Sequence, residues 1–143
     1  MEAGEICTRN TVIIRDDKRV KDAAKRMKQY NIGCLVVVRS QKDNNIPIGI
    51  VTDRDIVIKA MLNSNPGELE IKEFMSAPVI TVQEHTSIFD TLAKMRYNGI
   101  RRVPVVNGKG HLTGILALDD IMDFLLTEIS EISQIFKKEE PVV

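Results

Sequence analysis

The chain has no tryptophan, and its only aromatic residues are four Phe and two Tyr. Stacking platforms for single-stranded nucleic acid are built from such side chains, so there is little here to build one. Charge of one sign is also lacking. Twenty basic residues balance twenty acidic ones, for a formal net charge of zero. Nucleic-acid binders usually carry a basic excess, and nucleic acid is not an expected partner. No uncharged apolar run approaches the roughly 20 residues that span a bilayer, so no membrane segment is expected. The first seven residues hold two glutamates and no apolar stretch, unlike a signal peptide.

Cysteine and histidine are equally sparse. Cys7 and Cys34 show neither disulfide-framework nor metal-ligand spacing, which points to a reducing, cytoplasmic setting. His85 and His111 each stand alone, too few for a standard zinc site, and both are expected to be exposed. No Gly-x-Ser-x-Gly elbow is present. The loop Gly108-Lys109-Gly110 lacks the Gly-x-x-x-x-Gly-Lys-Ser/Thr frame of a phosphate loop and joins two strands rather than a strand and a helix. The sequence therefore predicts no enzyme and no metal site. What it does have, 43% hydrophobic and 28% charged residues over 143 positions, is the profile of a soluble globular fold.

The informative feature is duplication. A shift of 68 residues sets Val20 on Ile88, Asp22 on Asp90, Met27 on Met95, Ile32 on Ile100 and Val37 on Val105. Further on the shift becomes 65, setting Gly49 on Gly114, Ile50 on Ile115, Asp55 on Asp120 and Ile56 on Ile121. The three-residue difference falls in one polar loop, where insertions are tolerated.

Each half reads as β-α-β-β-α. In the first, residues 11–14 are a β-branched strand. Val20, Ala23, Ala24 and Met27 recur at helical spacing, and 34–38 is an apolar run typical of a buried strand. A polar loop, 40–45, leads to a strand at 46–52 and a helix at 53–62. The second half repeats this with strands at 79–82, 103–106 and 112–117 and a helix at 87–98. Its hairpin carries the turn dipeptide Asn107-Gly108. The last helix starts at Leu118 and continues to about Phe136, with an apolar stripe through Ile121, Phe124, Leu125, Ile129, Ile132 and Phe136. That stripe is expected to pack on the module itself, on a second copy or on a target. Cys34 and the methionines Met27, Met61, Met75, Met95 and Met122 are expected to fill the core. The expected organisation is a first unit over 1–63, a linker over 64–73, a second unit over 74–126 and a helical extension and tail over 127–143. The fold class is α+β, with two β-α-β-β-α motifs related by pseudo-twofold symmetry. A unit of about 60 residues is marginal alone, so the two should bury their apolar faces together.

Two segments close the repeats: Gly49-Ile50-Val51-Thr52-Asp53-Arg54-Asp55 and Gly114-Ile115-Leu116-Ala117-Leu118-Asp119-Asp120. With the entry segment at 99–106 and the opening segment at 74–79, this ordered set, occurring twice, resembles the CBS domain pair, or Bateman module. The resemblance covers residues 6–126. It implies a regulatory module that binds AMP, ADP, ATP or an S-adenosyl ligand such as S-adenosylmethionine in clefts between the copies. It also implies a disc-like homodimer that acts on a separate, unknown regulated protein. The alternative is a structural or protein-interaction module without nucleotide.

The residues give this chemistry a physical basis. A carboxylate can accept both vicinal hydroxyls of a ribose, and its charge strengthens those bonds. Asp55 and Asp120 occupy the family's ribose position; their other reading is as helix caps. The family's hydroxyl three residues earlier is kept in Thr52 and lost in Ala117. Arg54 lies in the first turn of a helix, where the dipole disfavours a cation unless an anion binds. Arg101 and Arg102 can clamp phosphate; otherwise they are solvated surface residues. Carried over by position, site one takes Val12, Ile32 and Gly33 for adenine with Arg101, Arg102 and Asp120. Site two takes Ile80 and Ile100 for adenine with Thr52, Arg54 and Asp55.

Overall fold

A computed structural model describes residues 1–139 and 141. The order is α1 (Ala3–Ile6), β1 (Ile13–Arg15), α2 (Val20–Tyr30), β2 (Cys34–Gln41), β3 (Asn44–Thr52), α3 (Asp53–Ala60), α4 (Ile71–Phe74), β4 (Val82–Gln83), α5 (Ile88–Asn98), β5 (Arg102–Val106), β6 (Leu112–Ala117) and α6 (Leu118–Glu139). The class is α+β. Two three-stranded sheets, β1-β2-β3 and β4-β5-β6, each hold a parallel then an antiparallel pair. Among the described residues no helix is long and apolar enough to cross a membrane.

Local rules account for most elements. Val20, Ala23 and Met27 form the buried stripe of α2, and Ile88, Thr91 and Met95 that of α5, the spacing that keeps residues on one helical face. Thr91 hides its hydroxyl by donating to the Ser87 carbonyl at 2.8 Å. Both helices end in left-handed residues at repeat-equivalent positions, Asn31 (φ 52°) and Gly99 (φ 64°). These two residue types enter that region most readily. The central strands are fully inside: Leu35 to Val38 in one sheet, Val103, Val105 and Val106 in the other.

Several expectations are corrected. The opening strands begin later than 11–14 and 79–82, at Ile13 and Val82, because the residues before them run along the clefts described below. The loop expected at 40–45 is a continuation of the hairpin. β2 and β3 pair as far as Gln41 with Asn44, and the turn is Lys42-Asp43, both at positive φ. Antiparallel pairing there satisfies backbone groups that a loop would leave to water. In the second hairpin the positive φ falls on Gly110 rather than Gly108. The Asn107 side-chain oxygen holds the turn by accepting the N–H groups of Lys109 and His111. The first-copy helix ends at Ala60 rather than 62, and α6 reaches Glu139. Met27 and Met95 are buried, but Met61 and Met122 are exposed. His85 is exposed and His111 half-buried.

Two short helices lack the length for a periodic signal, and they decide how the copies join. Ala3 of α1 belongs to the core of the second sheet, with Val82, Ile88, Val103 and Ile121. Ile71 and Phe74 of α4 belong to the core of the first, with Ile14, Val20, Leu35 and Val51. Each copy's leading segment thus folds on the other copy. Thr8 exchanges both backbone hydrogen bonds with Ile115, at 2.9 and 3.0 Å, and Ser76 does the same with Ile50, at 2.8 and 3.2 Å. The crossing explains the repeated glycine. A Cβ on Gly114 would sit 2.6 Å from Cys7 Sγ and 2.9 Å from the Thr8 carbonyl oxygen. One on Gly49 would sit 2.5 Å from Met75 Sδ.

Candidate functional site

The crossing leaves two clefts between the copies, each of about 410 Å³. In the first, copy one supplies Ile50, Thr52, Arg54 and Asp55 from the end of β3 and the start of α3. Copy two supplies the apolar wall Pro78, Val79, Ile80 and Ile100, followed by Arg101 and Arg102. The second cleft exchanges the roles. Val12, Ile32 and Gly33 come from copy one, and Ile115, Ala117, Asp120 and Arg102 come from copy two.

The residues expected at site two (Thr52, Arg54, Asp55, Ile80 and Ile100) all lie in the first cleft. Those expected at site one lie in the second, apart from Arg101. Arg101 lines the first cleft and a smaller hollow of about 180 Å³ shared with Arg102, Ala117 and Asp119. The reason is its place immediately before β5. It precedes the strand whose entry forms the first cleft's far wall, and its carbonyl accepts the Leu118 N–H at 2.8 Å. Three arginines therefore border the first cleft, against one, Arg102, at the second. Among the described residues none of Arg54, Arg101 and Arg102 is in an ion pair, whereas Arg9, Arg15, Arg19 and Arg39 all are.

The aspartates do what the capping reading required and keep capacity for more. Asp55 Oδ2 accepts the Thr52 N–H at 3.0 Å, while Thr52 Oγ1 accepts the Asp55 N–H at 3.1 Å. This reciprocal box opens α3. Asp120 Oδ2 accepts the Ala117 N–H at 3.0 Å, without the return bond that a hydroxyl at position 117 would make. In both, one carboxylate oxygen fixes the side chain, and the other is not committed to the cap. Capping and ligand contact are thus compatible roles for the same group.

Cys34, expected in the core, is half-buried and lines both clefts, as does its repeat mate Arg102. It sits at the first position of β2, opposite Thr52, where the strand emerges from the core. Burial pushes its thiol pKa up, and the Asp53 and Asp55 carboxylates add to this against the opposing Arg102. Gly33 has a local reason to be glycine. A Cβ there would stand 2.7 Å from Asp53 Oδ2, and Asp53 Oδ1 already accepts the Arg54 N–H at 2.8 Å. Cleft residues missed in the sequence include Thr8, Asn10, Thr11, Ser76 and Pro78. The repeat could have found them, since the 68-residue shift that relates Val12 to Ile80 also relates Thr8 to Ser76 and Asn10 to Pro78.

Two intertwined β-α-β-β-α copies with a pair of equivalent clefts between them define a CBS domain pair. The chain belongs to the CBS domain family, whose model matches residues 3–61 and 71–127. It is 35% identical over 143 residues to an uncharacterised protein of Methanopyrus kandleri, covering 97% of this chain and 71% of that one. The solved CBS domain pair of protein MJ0100, in complex with 5'-methylthioadenosine and S-adenosyl-L-methionine, is similar with a TM-score of 0.74 and 26% identity. That match covers 90% of this chain and 98% of that one. The hexameric CBS-CP12 protein from bloom-forming cyanobacteria is similar with a TM-score of 0.72 and 35% identity, covering 85% of this chain and 66% of that one.

Proposed function

We propose that the two clefts bind an adenosine-containing ligand (AMP, ADP, ATP or an S-adenosyl compound) and that the module passes its occupancy to a separate protein. The single observation that carries this reading is the repeated pairing of a cap-fixed carboxylate, Asp55 or Asp120, with an apolar wall from the other copy. A carboxylate held by one oxygen presents the other to a ribose diol. The opposite wall, Ile80 and Ile100 or Val12 and Ile32, suits a flat base. The complex of protein MJ0100 with two adenosyl compounds supports the ligand class.

The clefts differ in the charge they would accept. The first, with Arg54, Arg101 and Arg102 at its rim, suits a di- or triphosphate. The second, with Arg102 alone and no hydroxyl at Ala117, suits a monophosphate or an S-adenosyl ligand. The module is proposed to act as a sensor rather than an enzyme, in the cytoplasm. Each copy also leaves apolar helix faces exposed, through Tyr30, Val57, Ile58 and Met61 in the first copy and Phe89 and Tyr97 in the second. These suit a homodimer, the commonest symmetric assembly.

Isothermal titration with AMP, ADP, ATP, S-adenosylmethionine, 5'-methylthioadenosine and NAD tests the proposal. Saturable binding of at least one adenosine compound is expected, with ATP favoured at the first cleft and weakened by Arg101→Ala. Absence of heat with every compound would leave the interaction-module reading in its place.

A further inference from the structure

The two clefts are repeat mates, but one position changes sign between them. The 65-residue shift that sets Asp55 on Asp120 also sets Arg54 on Asp119. Arg54 lines the first cleft. Asp119 lines the hollow of about 180 Å³, with Arg101, Arg102 and Ala117. Ala117 and Arg102 are also walls of the second cleft, so the hollow adjoins that cleft. The first cleft sets Arg54, Arg101 and Arg102 against Asp55. The second cleft and its hollow set Arg101 and Arg102, both shared with the first, against Asp119 and Asp120. A phosphate there would meet a carboxylate at the position where the first cleft offers it a guanidinium. Among the described residues neither Arg101 nor Asp119 is in an ion pair, although both line the one hollow. A cation and an anion held apart across a small space match a group that carries one charge of each sign.

We propose that, given the adenosine reading of the second cleft on which this assignment rests, the hollow takes an α-amino-acid tail on the ligand's 5' substituent. Asp119 accepts the N–H groups of the tail's ammonium. Arg101 donates to its carboxylate, which the planar guanidinium fork fits. The second cleft is therefore selective for an adenosyl amino acid, such as S-adenosylmethionine or S-adenosylhomocysteine, over a nucleotide. Ala117 fits the same chemistry. Lining both spaces, it offers no hydroxyl to a phosphate and little bulk between cleft and hollow.

Calorimetric titration in an Asp55→Ala background, which reads the second cleft, tests the assignment. S-adenosylmethionine and S-adenosylhomocysteine are expected to bind more tightly than AMP. Asp119→Asn should weaken both about tenfold, the loss of one charged hydrogen bond at an exposed site. It should leave 5'-methylthioadenosine, which has no such tail, unchanged, and that binding also reports a folded cleft. Asp119→Arg copies the residue of the first cleft and should turn the preference toward AMP. Binding of AMP on a par with S-adenosylmethionine, or an S-adenosylmethionine affinity that neither variant changes, overturns the assignment and leaves the adenosine reading standing. A loss confined to S-adenosylmethionine would put Asp119 at the sulfonium rather than the tail and overturns it too. No heat with any of the four compounds in the unsubstituted chain removes the adenosine reading, and this assignment with it.

Discussion

Replacing Asp55 separates the cap its carboxylate forms from the ribose contact proposed for it. Asp55→Asn keeps the shape and an oxygen that can still accept the Thr52 N–H, now 3.0 Å from Oδ2. It removes the charge near the start of α3, worth about 0.3–1 kcal/mol of folding stability. Asp55→Ala removes that hydrogen bond as well, for a further cost of about 1 kcal/mol, and should lower the melting temperature by a few degrees. The effect on ligand is larger. A charged acceptor lost from a ribose costs about 1.5–3 kcal/mol, or roughly 10- to 150-fold in affinity. Asn can still accept one hydroxyl, so the expected order of affinity is wild type, then Asn, then Ala. The assay is calorimetric titration with AMP and with 2',3'-dideoxy-AMP, in an Asp120→Ala background so that the first cleft is read alone. The dideoxy compound should bind wild type and variants alike, because it lacks the hydroxyls proposed to meet the carboxylate. The ribose role is refuted if both variants bind AMP like the parent while melting earlier. It is equally refuted if AMP and its dideoxy analogue lose the same affinity.

Gly114→Ala should destabilise the chain by about 1–3 kcal/mol through overpacking, since its Cβ would meet a backbone carbonyl at 2.9 Å. Gly108→Ala, with nothing within 4 Å, is the control, and equal melting temperatures would contradict the crossing. Because burial raises the Cys34 thiol pKa, iodoacetamide at pH 8 should label it more slowly than a free thiol, and an adenosine ligand should slow it further. Labelling at the rate of glutathione, read by peptide mass spectrometry, would count against the placement. Arg9 holds the Glu84 carboxyl below its ordinary pKa. A carboxyl lowered on folding contributes stability above its unfolded pKa and loses it as pH falls through the folded value. Protection of the Gly4 amide, which donates to the Glu84 carbonyl at 2.8 Å, should therefore drop early on acidification, and an amide insensitive to pH 3 would refute the link.

The duplication, both long amphipathic helices and the buried strands were legible because period and β-branching are local properties. Val20, Ala23 and Met27 mark a buried face whatever they pack against. The cleft aspartates were legible for a related reason. Asp55 and Asp120 recur at one distance from a recurring glycine, so the repeat marks them before any geometry is known. Local pattern fails where burial depends on a distant partner. Met61 and Met122 have core chemistry and fall on faces that the chain does not cover. Cys34 continues an apolar run, and only its place at the mouth of β2 turns it toward the clefts.

The sequence by itself determined that there are two copies, the β-α-β-β-α order within each and which carboxylates close them. These are set by residue spacing along one strand or helix. Tertiary structure alone decided that α1 and α4 trade places between the copies, that the trade opens two clefts, and that Arg101 borders the first cleft rather than the second. An apolar residue encodes the need for cover and not the identity of its cover. Ala3 could have met that need in its own copy, and met it instead against Val82 and Ile121 of the other.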